Sequence, residues 1–174
     1  CVKWARLYFD QQYNHQIQQL LYNFPSDYKT SSGAPFWSGP KKCPHPVIFD
    51  PNNSMHLDYI VSAANLRAFL YNVPQCADRS QIYTLVTSIP AEEIPVFAPK
   101  QNLKIAVNDA ELNNNGMSNS SMDLNDQFKA LQTQLPSLSE LSGVKISPIE
   151  FEKDDDSNFH IDFIVAASNL RAEN

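Results

Sequence analysis

One stretch of thirteen residues occurs twice, and any fold for this chain has to house both copies. Residues 56–68 read His-Leu-Asp-Tyr-Ile-Val-Ser-Ala-Ala-Asn-Leu-Arg-Ala, and residues 160–172 read His-Ile-Asp-Phe-Ile-Val-Ala-Ala-Ser-Asn-Leu-Arg-Ala. His, Asp, Ile, Val, one Ala, Asn, Leu, Arg and the last Ala are identical, and the other positions change conservatively. Each copy follows a similar lead-in, Pro46-Val47-Ile48-Phe49-Asp50 before the first and Pro148-Ile149-Glu150-Phe151-Glu152 before the second. A polar loop separates lead-in from helix both times. The pattern reads as short strand, polar loop, helix, used twice.

Both copies are expected helices. Leu57, Ile60, Val61, Ala64 and Ala68 recur at helical spacing and form an apolar stripe. Ile161, Ile164, Val165, Ser168 and Ala172 do the same, with one polar interruption. Alanine loses little entropy in a helix and lets a neighbour approach closely. Asn53 or Ser54 is placed to cap the first helix, and Ser157 or Asn158 the second. Asp58 and Asp162 fall in first turns, where the helix dipole favours a carboxylate. The duplication predicts two equivalent packing sites. Packing outweighs chemistry as its cause, because periodic apolar residues usually mean a core.

Around these units the expected fold class is α+β, predominantly helical with a few short strands. Residues 1–24 read as one long amphipathic helix, in which Val2, Ala5, Tyr8 and Phe9 lead into Tyr13, Ile17, Leu20, Leu21 and Phe24 at helical spacing, stopped by Pro25. Trp4 and Tyr8 are expected among the core aromatics. Residues 25–46 are a loop stiffened by Pro35, Pro40, Pro44 and Pro46, with Phe36 and Trp37 plugging it onto the core. Asp78-Arg79-Ser80-Gln81 resembles a capping box opening a short helix to Ile89. Pro90, Pro95 and Pro99 break the chain around an extended piece at 96–98. Residues 101–107 are a further strand candidate. Residues 108–123, rich in Asn and Ser, are expected to be mobile. Helical periodicity resumes from Leu124 to Leu135 and ends at Pro136. A final strand is expected over 144–151, leading into the second copy.

Composition narrows the chemistry. At 174 residues and 43% apolar, the chain is long enough to bury a core as one domain, or one domain plus part of another. A net charge of −6 without a basic stripe argues against nucleic acid. No apolar run approaches a membrane span, and no signal-peptide pattern is present. The four glycines make no phosphate-binding loop. Three cysteines do not pair evenly, which fits a reducing intracellular compartment. The chain starts without Met and stops as a helix ends, so both ends read as cuts in a longer polypeptide.

Three groups could carry chemistry. Cys43-Pro44-His45, with Cys1 or Cys76, is the metal candidate, but it lacks the paired spacing of zinc clamps. Its plainer reading is a packed Cys43 beside a surface His45. Cys76 lies just ahead of a helix N-terminus, which lowers a thiol pKa, yet no His is shown to approach it. An unreactive thiol is the plainer reading there. Glu150, Glu152, Asp154, Asp155 and Asp156 crowd around Lys153 and suit a divalent ion, a basic partner or a solvated loop.

Three stretches also carry a family resemblance. Residues 33–46, Gly-Ala-Pro-Phe-Trp-Ser-Gly-Pro-Lys-Lys-Cys-Pro-His-Pro, run into Phe49-Asp50 and His56-Leu57-Asp58-Tyr59. Residues 151–174 run from Phe-Glu-Lys-Asp-Asp-Asp-Ser-Asn-Phe-His through the second copy to Glu173-Asn174. The third is the opening helix, Cys1-Val2-Lys3-Trp4-Ala5 to Phe24-Pro25. Together they resemble the eukaryotic ubiquitin-activating enzyme, in its second catalytic cysteine half-domain. The likeness covers nearly the whole chain and fades over 108–123.

The resemblance implies a parent that adenylates the C-terminal glycine of ubiquitin with Mg-ATP, takes the acyl group on a cysteine as a thioester, and passes it to a ubiquitin-conjugating enzyme. Splitting a hard acyl transfer in this way is nucleophilic catalysis. It implies that residues 1–149 belong to the half-domain, where they buttress the catalytic cysteine region. Residues 150–174 would return as a segment and helix toward the adenylation domain. Glu152, Asp154, Asp155 and Asp156 then become candidates for an interdomain contact. Expected partners are ubiquitin, conjugating enzymes and the adenylation domain of the same chain, with no nucleic acid and no membrane. The expected location is cytoplasmic and nuclear. The family's thioester cysteine precedes Thr in a segment soon followed by Phe-Pro or Tyr-Pro. Cys1 precedes Val-Lys-Trp, Cys43 precedes Pro-His-Pro, and Cys76 precedes Ala-Asp-Arg. No catalytic residue is therefore carried over, no cofactor is expected within these residues, and the nucleophile is expected before residue 1. The alternatives are a self-standing, non-enzymatic interaction module and a small thiol enzyme using Cys76.

Overall fold

The computed structural model describes residues 1–103, 105–106, 124–137 and 139–174. They fall into two compact units, one made of residues 1–102 with 146–174 and one of residues 103–145. The opening amphipathic stretch is helical as expected, in three pieces: α1 (Val2–Phe9), a π-helical segment (Asp10–His15) and α2 (Gln16–Asn23). A π turn shifts the hydrogen-bond register and releases carbonyls from the helix. The Tyr13 carbonyl accepts from the Val47 backbone N–H at 2.9 Å and from Asn174 Nδ2 at 2.8 Å. The Gln12 carbonyl accepts from the Arg171 guanidinium at 3.2 Å. The irregular turn thus anchors both a loop and the C-terminal residue.

The first unit is completed by α3 (Ser54–Leu70), α4 (Arg79–Thr87) and α6 (His160–Glu173), while α5 (Leu124–Thr133) belongs to the second. Asn53 caps α3 by accepting from the Met55 N–H at 3.0 Å. Asn72, at φ 56°, closes it: Val73 N–H bonds the Ala68 carbonyl and Asn72 N–H bonds that of Phe69. The predicted stripe of α3 is buried, and so are His56, Tyr59, Ser62, Ala63 and Asn65, so this helix is covered almost all round. Ser62 spends its hydroxyl on the Asp58 carbonyl at 2.8 Å, which leaves no loose polar group there. α1 covers α3 with Ala5 and Phe9, α4 with Ile82 and Val86, and α6 with Ala166 and Leu170. Trp4 and Tyr8 are half-buried and stacked on each other at 5.0 Å. Phe36 stacks on Phe24 at 4.7 Å, and Trp37 Nε1 donates to the Phe24 and Pro25 carbonyls at 3.0 Å, so the stiff loop docks on the end of α2.

Two expectations are corrected. The predominantly helical part of the fold class holds, but among the described residues there is no strand, only one isolated bridge between Lys29 and Pro35. The lead-ins at 46–50 and 148–152 and the stretch 144–151 are irregular chain without a ladder. Their backbone donors go elsewhere: Val47 to Tyr13, and Ser147 to the Leu70 carbonyl at 2.8 Å. A strand needs a neighbouring strand to take its N–H groups, and here the π turn of the opening helix and the end of α3 take them. The second correction concerns the two helices of the repeat. Ile161, Ile164 and Val165, part of the predicted stripe, are 41%, 46% and 52% exposed, and α6 buries Ala166 and Leu170 instead. The two copies therefore occupy unequal places: α3 is central and α6 is peripheral.

Asp78 caps α4 through the Ser80 and Gln81 N–H groups at 2.9 and 3.2 Å, and the helix ends at Thr87. The N-cap of α6 is Phe159, at φ 64° and without a side-chain cap bond, in place of the expected Ser157 or Asn158; Asn158, one residue earlier, accepts from His160 N–H at 2.8 Å. That left-handed backbone costs about 1–2 kcal/mol for a residue with a Cβ. In the second unit, Glu140 accepts from both the N–H and hydroxyl of Ser137, at 2.7 and 2.8 Å. The mobile region expected at 108–123, and most of the strand candidate's end at 104 and 107, lie outside the described residues. Among the described residues no helix is long and apolar enough to cross a membrane.

Tyr59 sits at the centre, edge-on to Phe9 at 5.6 Å and to Tyr13 at 5.4 Å. Burial pushes its phenol well above the usual tyrosine range, with Tyr13 and Tyr8 adding to the push and Arg171 opposing it. Above about pH 10 the unfolded chain releases this proton while the folded chain keeps it, so stability falls as pH rises. Urea denaturation of Tyr59→Phe should show a shallower loss of stability between about pH 9 and pH 11 than the parent sequence. Identical slopes would place the alkaline titration elsewhere.

Candidate functional site

Each copy of the repeat opens with a histidine that grips its own lead-in. His56 Nδ1 accepts the Asp50 N–H at 3.0 Å. Glu152 presents its N–H at 2.9 Å and its carbonyl at 3.1 Å to His160 Nδ1, so either ring tautomer is bonded. One residue earlier, a phenylalanine lies nearly parallel to the imidazole: Phe49 over His56 at 6.1 Å and 28°, Phe151 over His160 at 5.8 Å and 27°. In the first grip the imidazole is buried and Phe49 is half-buried. Phe9 packs on both of its rings, the Arg6 guanidinium lies 4.3 Å from the Phe49 centroid, and His56 Nε2 faces Glu173 Oε2 at 3.5 Å. With Nδ1 accepting, the ring proton of neutral His56 lies on Nε2, toward that carboxylate. The second grip is at the surface, where Phe151 is 61% exposed.

A second device follows in the first copy. Asn65, almost fully buried, holds the Cys76 backbone at both ends: its Oδ1 accepts from the Cys76 N–H at 2.7 Å and its Nδ2 donates to the Cys76 carbonyl at 2.8 Å. The amide acts as one rung of a β ladder and lays residues 73–78 across α3. Arg79, three residues beyond Cys76, pairs with Asp58, which lies in the second turn of α3 and not in the first as expected, because the helix starts at Ser54; only Asp162 of the second copy is a first-turn acid. The motif arginines both stack on aromatics of the opening helix, Arg67 on Trp4 at 4.4 Å and Arg171 on Tyr13 at 5.0 Å.

The candidate nucleophiles and ligands lie apart from these devices. Cys76 is half-buried, and its Sγ donates to Gln81 Oε1 at 2.8 Å. Cys1 and Cys43 are exposed, and Cys43 Sγ contacts only the neighbouring Pro44 carbonyl, at 3.8 Å. Among the described residues, no three or more His, Cys, Asp or Glu side chains gather closely enough to hold a metal. Glu150, Glu152, Asp154, Asp155 and Asp156 are all exposed. They form a structured loop. Glu152 accepts from the Asp154 N–H at 2.8 Å, and Asp155 accepts from the Ser157 hydroxyl at 2.6 Å and N–H at 2.9 Å. Those two bonds hold the Asp155 carboxyl below the usual carboxylate range.

The model of the ubiquitin-activating enzyme SCCH domain matches residues 1–174, end to end. The chain belongs to that family. Human ubiquitin-like modifier-activating enzyme 1 is 53% identical over 174 residues, covering 100% of this chain and 16% of the relative. Ubiquitin-activating enzyme E1 1 of Candida albicans is 48% identical, with 100% and 17% covered. Human ubiquitin-like modifier-activating enzyme 7 is 39% identical over 178 residues, with 100% and 16% covered. The SCCH domain described here thus spans about a sixth of the length of the relatives it matches.

Sequence reasoning found the repeat of this SCCH domain but missed the grips. The signal was present: His, Asp, Asn and Arg are identical in both copies at positions that an apolar stripe does not explain. Asn65→Ala leaves the Cys76 N–H and carbonyl without partners and should lower unfolding stability by about 2–4 kcal/mol, whereas exposed Asn169→Ala should change it by less than about 0.5 kcal/mol. Likewise His56→Ala should cost about 2–4 kcal/mol and His160→Ala about 1 or less. Chemical denaturation measures all four. Equal costs within either pair would contradict the unequal burial of the copies.

Proposed function

We propose that this SCCH domain serves within a ubiquitin-activating enzyme. There the parent uses Mg-ATP to adenylate ubiquitin, forms a ubiquitin–cysteine thioester, and hands it to a ubiquitin-conjugating enzyme. The single observation that carries this reading is the family match over the full length of the chain. In this reading the described residues scaffold the region around the thioester cysteine and contribute no nucleophile. The thiol chemistry supports that division of labour. Cys76 donates its proton to an amide oxygen and Cys43 meets only a carbonyl, so neither has a base positioned to activate it. ATP and its magnesium, ubiquitin and the conjugating enzyme act on the parent. A free-standing, non-enzymatic module is the weaker reading, because it leaves an end-to-end match to a part of an activating enzyme without a reason.

Residues 150–174 take the role of a return segment toward the adenylation domain, with Glu152, Asp154, Asp155 and Asp156 at that contact. Their fixed loop supports this: an acidic run already ordered by His160, Ser157 and Asn158 loses little entropy when a partner docks. The parent would act in the cytoplasm and nucleus.

Reconstitution separates these ideas. Mass spectrometry of the parent enzyme after reaction with ubiquitin and Mg-ATP should find no thioester on Cys1, Cys43 or Cys76, and ubiquitin held by any of them would refute the scaffold role. Charge reversal of Asp154 and Asp155 in the parent should slow thioester formation more than adenylation. Equal slowing of both steps would remove the acidic loop from the interdomain contact.

A further inference from the structure

The copies of the repeat differ in one respect that their sequences do not explain. In the first, Asn65 grips a backbone and Asp58 pairs with Arg79. In the second, the matching Asn169 and Asp162 are exposed, and neither has a side-chain partner among the described residues. They line an open groove of about 490 Å³ together with Phe159, Ile161, Val165 and Ala166. Ile161 and Val165 correspond to Leu57 and Val61, both buried in the first copy. An acid, an amide and an apolar strip are therefore presented in the same order as in α3, without their cover.

We propose that this face of α6 is a docking site for an extended peptide that opens into a helix, a second version of residues 76–86. Asn169 would hold one residue of it by backbone N–H and C=O, as Asn65 holds Cys76. A cation three residues further on would pair with Asp162, as Arg79 pairs with Asp58. Apolar residues six and ten positions on, where Ile82 and Val86 stand in the first copy, would cover the strip. The charge requirement sets the occupant's chemistry: the groove already carries Asp58, Asp156 and Asp162 against Arg79, so it favours a basic group over an acidic one. The occupant comes from the parent polypeptide, most of whose length lies outside these residues in the relatives that match. That source rests on the proposed parent, whereas the recognition chemistry does not, so the two can fail separately.

The chain supplies its own probe. A peptide of residues 73–87 carrying Cys76→Ala is titrated into the isotopically labelled 174-residue chain and followed by NMR. Shifts are expected at the Asn169 side-chain amide and at Ile161 and Val165. Asn169→Ala in the domain should weaken binding about tenfold, the loss of roughly two net hydrogen bonds. Arg79→Glu in the peptide should weaken it to a similar degree, and Asp162→Lys in the domain should restore that peptide. Asn169 is exposed, so an unchanged melting curve confirms that its variant is folded. Absence of shifts, shifts centred on Asn65, or affinity indifferent to Asn169→Ala would each overturn the proposal. So would self-association of the chain that Asn169→Ala abolishes, since the occupant would then be a second copy.

Discussion

The carbonyl of Tyr13 joins parts of the chain that are far apart in sequence. It is available because the opening helix widens into a π turn at that point, so that its acceptor is turned outward. Val47 and Asn174 both take it, and the Tyr13 ring receives Arg171 on one side and Tyr59 on another. His45 and Asn174 then bond each other reciprocally, at 2.6 and 3.1 Å. A regular α-helix would have kept that carbonyl for itself. The local loss of helical regularity is compensated by three tertiary attachments, and these hold the lead-in loop and the C-terminal helix to the same core.

Around that joint the fold follows from the demands of α3. A helix buried almost all round needs neighbours on several sides, and α1, α4 and α6 supply them. It also needs its polar groups satisfied within reach. Ser62 finds its own helix and Asn65 finds Cys76; His56 finds Asp50 with Nδ1, while its Nε2 faces Glu173 at 3.5 Å without a hydrogen bond. Side-chain amides do similar work elsewhere: Gln19 holds both backbone groups of Lys100, at 2.8 and 3.2 Å. Among the described residues, which hold no strand, Asn and Gln take the part that strand pairing plays in other folds.

This economy bears on function. The loops fixed by these grips include the acidic run of the second copy. The described residues fix surface loops, in a chain that belongs to the SCCH domain family of the ubiquitin-activating enzymes. Unequal burial of two near-identical helices gives one copy a structural task and leaves the other with a surface still to be covered.

Most helices, the caps of α3 and α4 and the aromatic anchoring of the proline-rich loop were legible in sequence, because apolar spacing, Asn53, Asp78 and Trp37 act through local geometry. The strands assigned to the lead-ins were not there, since Phe49-Asp50 and Phe151-Glu152 look like strand residues until the histidines that take their N–H groups are seen. The sequence by itself determined that residues 54–70 and 160–173 are helices, and that the family is that of the activating enzymes, since helical period and motif are properties of the chain. Only the tertiary structure decided which of the two would be the core. Two copies with nearly the same residues have nearly the same local preferences, and their difference lies in what the rest of the chain packs against each.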